Sequence, residues 1–162
     1  MVFLRTKKIN NHSYCYLVEN QYSKKGSQQK VKKYLGRVFQ LVPSREIDSF
    51  DLPKKITKEE MLNKLIQSEL LRHNFKEKNQ LLINKEIAFD PRNLNLFKKK
   101  KEVVAALNQG FLCQFTTKRI LDFKKTKDFQ KDAYTLARYF VEAGLNVSQE
   151  LFVQFYEKCS NK

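Results

Sequence analysis

The chain has 162 residues, of which 41% are hydrophobic and 30% charged, with 4 Gly and 3 Pro. This composition excludes a wholly disordered or fibrous chain and supplies enough apolar side chains for an ordinary core. Lysine and arginine outnumber aspartate and glutamate by 32 to 17, and the net charge of +15 predicts a polyanionic partner. No run of residues approaches the roughly 20 apolar positions that cross a bilayer.

Residues 1–42 are predicted to form a small three-stranded antiparallel sheet, a β-meander. Its strands have the sequences VFLRTKKI at 2–9, SYCYLVE at 13–19 and QKVKKYLGRV at 29–38, with turn-forming residues between them. We expect the third strand to end near Gly36. A sheet this small needs one covered face, so we also expect a helix to pack on it.

Side chains alternate between the two faces of a strand, which predicts how the meander divides. Tyr14, Tyr16 and Val18 are expected to share one face of the second strand. On the third strand, alternation predicts two opposed sets of side chains: Lys30, Lys32 and Tyr34 against Val31, Lys33 and Leu35.

A group of residues in this region carries a resemblance to known DNA-binding segments: YCYLVE at 14–19, then Tyr22, Gly26, Gln29, Val31 and KYLG at 33–36. It resembles the β-meander that opens many insertion-sequence transposases, and a similar segment begins some archaeal Fic-type proteins. It is also similar in plan to the arm-binding domains of tyrosine recombinases, whose three-stranded sheet enters a DNA groove. The resemblance covers about residues 2–37 and implies DNA binding. The rest of the chain lacks a Fic motif, a recombinase tyrosine box and a transposase acidic triad, so the parent activities are not expected.

Positive charge is concentrated in the first quarter of the chain. Residues 1–40 hold nine basic residues and one acidic residue, which is +8 of the total +15. A lysine-rich edge that prevents aggregation would need fewer cations. Of these nine basic residues only two, Arg5 and Arg37, are arginines, so we expect phosphate contacts to dominate over base reading. The candidate nucleic-acid-binding residues here are Arg5, Lys7, Lys8, Tyr14, Tyr16, Lys24, Lys25, Lys30, Lys32, Lys33, Tyr34 and Arg37.

Two further basic clusters lie beyond the meander. Lys98, Lys99, Lys100 and Lys101 are a candidate phosphate-contacting loop, although such runs are also typical of a solvated surface. A looser cluster is expected around two helix starts, where the helix dipole favours an anion. Its members are Lys118, Arg119, Lys124, Lys125 and Lys127.

Residues 43–56, with Pro43, Ser44, Asp48, Asp51 and Pro53, are predicted to be a linker. The remainder, 57–162, is expected to be an α+β body with a helical C-terminal half, so the fold class is α+β.

The body begins with a predicted helix that runs to about His73, with Thr57 and Glu60 as a capping box. A hairpin is expected from the apolar runs 81–83 and 87–89, followed by a candidate strand at 94–97. The run 103–107 fits either a strand or a helix.

Three helices are predicted in the C-terminal part of the chain. Thr116 is expected to cap a short helix that reaches Phe123. A longer helix is predicted over 127–143, with Gly144 ending it, and Ser148 is expected to cap the last helix.

Catalysis is poorly supported, so the chain is not expected to be an enzyme or to hold a cofactor or a metal. His12 and His73 are expected at the surface. Asp90 and Glu102 suggest a metal-dependent nuclease only faintly, because their spacing does not match such a site. Three widely spaced cysteines form no metal or disulfide pattern, which favours a reducing, cytoplasmic location.

The sequence therefore predicts a non-enzymatic protein that binds nucleic acid through its basic meander. DNA is favoured by the resemblance. A ribosome-associated RNA-binding protein is the leading alternative, because a small lysine-rich chain without tryptophan also fits ribosomal RNA. An adaptor for an acidic protein is the second alternative.

Overall fold

The computed structural model describes residues 1–44, 46, 52–53 and 55–161. Nine strands lie in these residues: β1 Val2–Ile9, β2 His12–Ser23, β3 Gly26–Gln40, β4 Lys76–Lys78, β5 Leu81–Asn84, β6 Ile87–Asp90, β7 Asn95–Lys98, β8 Lys101–Leu107 and β9 Gly110–Leu112. The helices found there are α1 Lys58–Arg72, α2 Gln114–Leu121, α3 Phe129–Glu142 and α4 Gln149–Glu157. The α+β class is confirmed, and so is the antiparallel meander β1-β2-β3.

The third strand is longer than its sequence predicts. β3 continues past Gly36 to Gln40, because its last four residues pair in parallel with β8, from Arg37 opposite Val103 to Gln40 opposite Ala106. The open choice at 103–107 is therefore settled as a strand.

One sheet includes both the meander and the body. Its order is β1-β2-β3-β8-β7-β6-β5-β4, and β9 pairs with the other end of β8. β1 and β4 are therefore the two ends of this path. Of the predicted linker, Asp48 and Asp51 lie outside the described residues.

The main core lies over the body part of the sheet. It joins the apolar side of α1, including Met61 and Ile66, to residues of β5 to β9 and to Phe140 and Phe155 from α3 and α4. Burial of these side chains is the main stabilising contribution. None of the helices in the described part of the chain is long and apolar enough to span a bilayer.

A second, smaller core lies under the base of the meander. Its buried members are Cys15, Leu35, Val104 and Cys113. The cover that we expected from a helix comes from Phe111 of β9 and Phe115 in the first turn of α2, together with meander residues. The part of the meander from 21 to 34 extends away from the body with both faces accessible, because every side chain in it is exposed.

The helix starts agree with the sequence in two cases and differ in two. The Thr57–Glu60 capping box of α1 and the Ser148 cap of α4 are confirmed. The prediction that Thr116 caps α2 is wrong, because α2 begins at Gln114 and the Thr116 hydroxyl instead accepts from the Cys113 main-chain NH at 3.1 Å. The cap of α3 is Asp128, which accepts from the Lys131 NH at 3.0 Å.

The expectation of a surface His73 is also wrong. This side chain is only 1% exposed and ends α1, where Nδ1 lies 2.8 Å from the main-chain oxygen of Glu69. His73 follows Glu69 by four positions, so it lies on the same side of α1. Because Glu69 is itself buried, that side faces the interior, and His73 is buried with it.

Candidate nucleic-acid interface

Six of the predicted binding residues meet on one face of the meander. Paired residues on neighbouring strands project to the same side of a sheet. Arg5 pairs with Tyr16, which pairs with Tyr34, and the adjacent row on that face runs from Lys7 through Tyr14 to Arg37. We call this surface the tyrosine face, defined by Arg5, Lys7, Tyr14, Tyr16, Tyr34 and Arg37.

The three tyrosines of this face contact one another. The ring centroids of Tyr16 and Tyr34 are 5.3 Å apart and those of Tyr14 and Tyr34 are 6.3 Å apart, with tilted planes. Tyr34 is 51% exposed, whereas Tyr14 and Tyr16 are half-buried. Partial burial, followed by the two neighbouring hydroxyls, raises the pKa of Tyr34 above its ordinary value, so Tyr34 is uncharged at neutral pH.

The cations of the tyrosine face are not held by acids. In the part of the chain that the structure describes, no ion pair joins Arg5, Lys7 or Arg37 to a carboxylate. Arg5 donates to the side-chain oxygen of Gln29, and the Arg37 guanidinium lies 3.0 Å from Nδ1 of His12. Their positive charge therefore remains available to an external anion.

The predicted division of the third strand between two faces is wrong. Two register shifts, between Cys15 and Tyr16 and between Leu17 and Val18, each place an extra residue in β3. Each extra residue reverses the alternation of side chains. As a result Tyr34 lies on the same face as Val31, and Lys30 and Lys33 lie on the opposite face.

Three of the predicted lysines therefore lie on the far side of the meander. Lys8 pairs with Ser13, Lys33 with Leu17 and Lys30 with Glu19, which places all three lysines opposite the tyrosine face.

Lys32 is engaged by an acid. Its Nζ lies 2.7 Å from a carboxylate oxygen of Glu19, and this hydrogen bond is the largest cause of the lowered pKa of Glu19.

Lys24 and Lys25 occupy the turn between β2 and β3. This turn extends beyond β1, because the pairing of β1 with β2 stops at Val2 opposite Glu19. The segment from 20 to 29 is therefore a two-stranded ribbon with a basic tip. It lies away from the body and leaves both lysines exposed.

One lysine of the second predicted cluster, Lys98, lies beside the tyrosine face, and we call it the Lys98 extension of that face. Lys98 lies with its Nζ 5.6 Å from the centroid of the Phe39 ring, and the Arg37 guanidinium lies 5.0 Å from the same ring. Lys101 pairs with Lys98 across β7 and β8. The remaining two lysines of the run, Lys99 and Lys100, are exposed in the turn between these strands.

An acidic residue, Glu86, contacts the Lys98 extension. A carboxylate oxygen of Glu86 is 2.5 Å from Nζ of Lys98. The hydrogen bond from Lys98 is the largest cause of the lowered pKa of Glu86, and the charges of Lys98, Arg37 and Lys99 lower it further. Glu86 therefore neutralises part of the extension, so Lys98 is less available to a phosphate than Arg5 or Lys7.

The third basic cluster lies only partly at helix starts. Lys127 immediately precedes Asp128, the cap of α3, as the sequence predicts. Lys118 and Arg119 lie in the last turn of α2, not at a helix start. The Arg119 guanidinium lies 4.2 Å from the Tyr139 ring centroid and 2.6 Å from a Glu142 oxygen, so packing within the body uses this residue.

The acid considered for nuclease chemistry also has a structural partner. Asp90 accepts from the Arg92 guanidinium at 2.9 Å through each of its oxygens, and this pairing lowers its pKa. Among the described residues, no group of three or more His, Cys, Asp or Glu side chains is placed to hold a metal ion.

The sequence prediction omitted two residues that shape the candidate site, Phe39 and Glu86. The Phe39 ring contacts both Arg37 and Lys98, and the Glu86 carboxylate neutralises part of the positive charge of Lys98. The available signal for Phe39 is an aromatic residue two positions after Arg37, which alternation places on the same face of the strand. No local pattern indicates Glu86, because its contact with Lys98 depends on the pairing of β6 with β7 and its approach to Arg37 on the pairing of β3 with β8.

No protein family, curated protein or solved structure matches the chain. The likeness to transposase and Fic-type N-termini therefore stays a prediction.

Proposed function

We propose that this chain is a non-enzymatic nucleic-acid-binding protein and that the tyrosine face is its principal contact surface. The observation that carries the proposal is the arrangement of Arg5, Lys7 and Arg37 beside three tyrosines, without an acid paired to any of these cations in the described residues. Phosphate oxygens are the ligands that exposed guanidinium and ammonium groups favour, and aromatic rings suit bases.

DNA is the proposed nucleic acid, on the resemblance of residues 2–37 alone, and RNA is the alternative that the same experiment examines. A cytoplasmic location belongs to the same proposal. It is supported by three free cysteines, Cys15, Cys113 and Cys159, all of them buried.

The test is a fluorescence-anisotropy titration of the full chain against a labelled duplex DNA and a structured RNA over a range of salt concentrations. Each phosphate that the protein neutralises contributes about 0.9 to the slope of log K against log salt on duplex DNA. The double variant Arg5→Gln/Lys7→Gln is expected to lower that slope by about 2.

The matched control is Lys76→Gln/Lys78→Gln. It removes the same charge from β4, which is at the other end of the sheet, so the slope should not change. Equal losses in the two variants would mean that only net charge matters. A slope near zero on both nucleic acids, together with binding to an acidic polypeptide, would favour the adaptor alternative.

A further inference from the structure

We infer that the tyrosine face takes single-stranded nucleic acid, with a base stacked on Tyr34 and the adjoining phosphates at Arg5 and Arg37. This inference rests on the proposed function and deepens it by naming the form of nucleic acid.

The first argument is the way in which Tyr34 is held. Its ring packs against Tyr16 at 5.3 Å and Tyr14 at 6.3 Å, with interplanar angles of 50° and 43°. These neighbours fix the ring from one side, while 51% of the residue is exposed to solvent. A ring that is already ordered loses little conformational freedom when a base stacks on it.

The second argument is the apolar surface that adjoins this ring. Val31 lies on the same face, pairs with Val18, and is 58% exposed. An exposed apolar side chain beside an exposed aromatic ring forms a small apolar surface. A ligand group with an apolar face covers such a surface better than a phosphate does. The flat face of a nucleobase supplies that cover.

The third argument is the position of the cations. Arg5 is at the end of the row that contains Tyr16 and Tyr34, and Arg37 is at the end of the next row, beside Tyr14. The rings are therefore flanked on two sides by guanidinium groups. A nucleotide strand has this same combination of a π surface and adjoining anionic groups.

A duplex matches this surface less well. Paired bases are stacked on one another and show only their edges in the grooves, so a tyrosine ring cannot lie on a base face without unstacking the helix. A single strand has unpaired bases that are free to stack on aromatic side chains.

The experiment compares three labelled probes with the same number of phosphates on the binding strand: a single strand, an abasic single strand and a duplex. The chain contains no tryptophan to mask its tyrosine emission, so the part of the quenching that Tyr34→Ala removes reports on stacking at Tyr34. We expect the single strand to bind about tenfold more tightly than the abasic strand, with quenching seen only for the former.

Three variants locate the stacking ring. Tyr34→Ala is expected to reduce single-strand affinity to that of the abasic probe, and Tyr34→Phe to retain most of it because the ring is kept. Tyr134→Ala is the matched control: Tyr134 is 70% exposed on α3, away from the meander, and its loss should change nothing.

The outcomes separate the two levels of the hypothesis. Equal affinity for the normal and abasic strands, with a clear salt slope, would overturn stacking and leave the proposed function standing. Preference for the duplex, unaffected by Tyr34→Ala, would do the same. Failure of all three probes to bind, when they are prepared both as DNA and as RNA, would remove the proposed function and this inference together.

Discussion

Gly36 packs against the main chain of Glu102 so closely that a β-carbon on Gly36 would lie 2.6 Å from the Glu102 carbonyl oxygen. Its φ of +136° also lies in the region that glycine favours. The contact occurs where β3 begins its parallel pairing with β8. Gly36 is therefore the residue that lets the meander join the sheet of the body.

Gly36→Ala is expected to lower the free energy of unfolding by about 2–4 kcal/mol, because the added methyl group meets main-chain atoms that have little freedom to move. Urea unfolding followed by circular dichroism measures the change. Gly26→Ala is the control, since Gly26 also has a positive φ, +109°, but a β-carbon added there would have no atom within 4 Å. Its cost should be about 1 kcal/mol, from backbone strain alone. Equal costs for the two variants would mean that the close approach is unimportant.

Local signals were sufficient for several elements of the fold. The meander turns, the Thr57–Glu60 capping box and the hairpin of β5 and β6 were all predictable, because each depends on residues close together in sequence. The pairing of β3 with β8 was not predictable in the same way. It joins segments more than 60 residues apart, from Arg37 opposite Val103 onward.

The candidate site was predictable in composition but not in geometry. Alternation correctly put Tyr14 and Tyr16 on one face of a regular strand. It failed on β3, because the extra residues Leu35 and Lys32 shift the register twice. A bulge leaves little trace in a run of residues that are all compatible with a strand. Simple alternation therefore predicts the wrong side for Lys33 and for Tyr34 relative to their neighbours on β3.

Removal of the Glu86 carboxylate is expected to strengthen binding. Glu86→Gln frees Lys98 from its 2.5 Å ion pair and removes a negative charge that acts on Arg37. Affinity for nucleic acid at low salt should rise by about 3- to 10-fold. Glu77→Gln on β4 is the matched control, because it makes the same change in net charge at the far end of the sheet. An unchanged affinity in Glu86→Gln would mean that the Lys98 extension does not contact the ligand.

The three thiols are expected to be inert in the folded protein. Burial is the largest cause of a raised pKa in all of them, and the pKa of Cys15 rises to about 12. In the unfolded chain the same thiols ionise near pH 8.5. A group whose folded pKa is raised loses its stabilising contribution as pH rises above the unfolded value, so stability should fall above about pH 9.

Labelling with a thiol-reactive disulfide reagent measures how accessible the three thiols are in the folded protein. The native protein at pH 8 should label only as fast as it unfolds, and three thiols per chain should react at once in denaturant. Rapid labelling of one thiol in the native state would show that its surroundings open locally.

The two faces of the meander provide the last prediction. Lys30→Gln/Lys33→Gln and Arg5→Gln/Arg37→Gln each remove two positive charges, the first from the far face and the second from the tyrosine face. At about 0.15 M salt the screening length is ~8 Å, so charges that do not contact the ligand contribute little to affinity. The arginine variant should therefore lose about tenfold or more in affinity, and the lysine variant at most about threefold. Association rates at low salt should fall for both, because steering depends on the total charge. If the lysine variant lost as much affinity as the arginine variant at about 0.15 M salt, the ligand would have to contact both faces of the meander. A nucleic-acid groove that encloses the projecting ribbon of β2 and β3 would make such contacts.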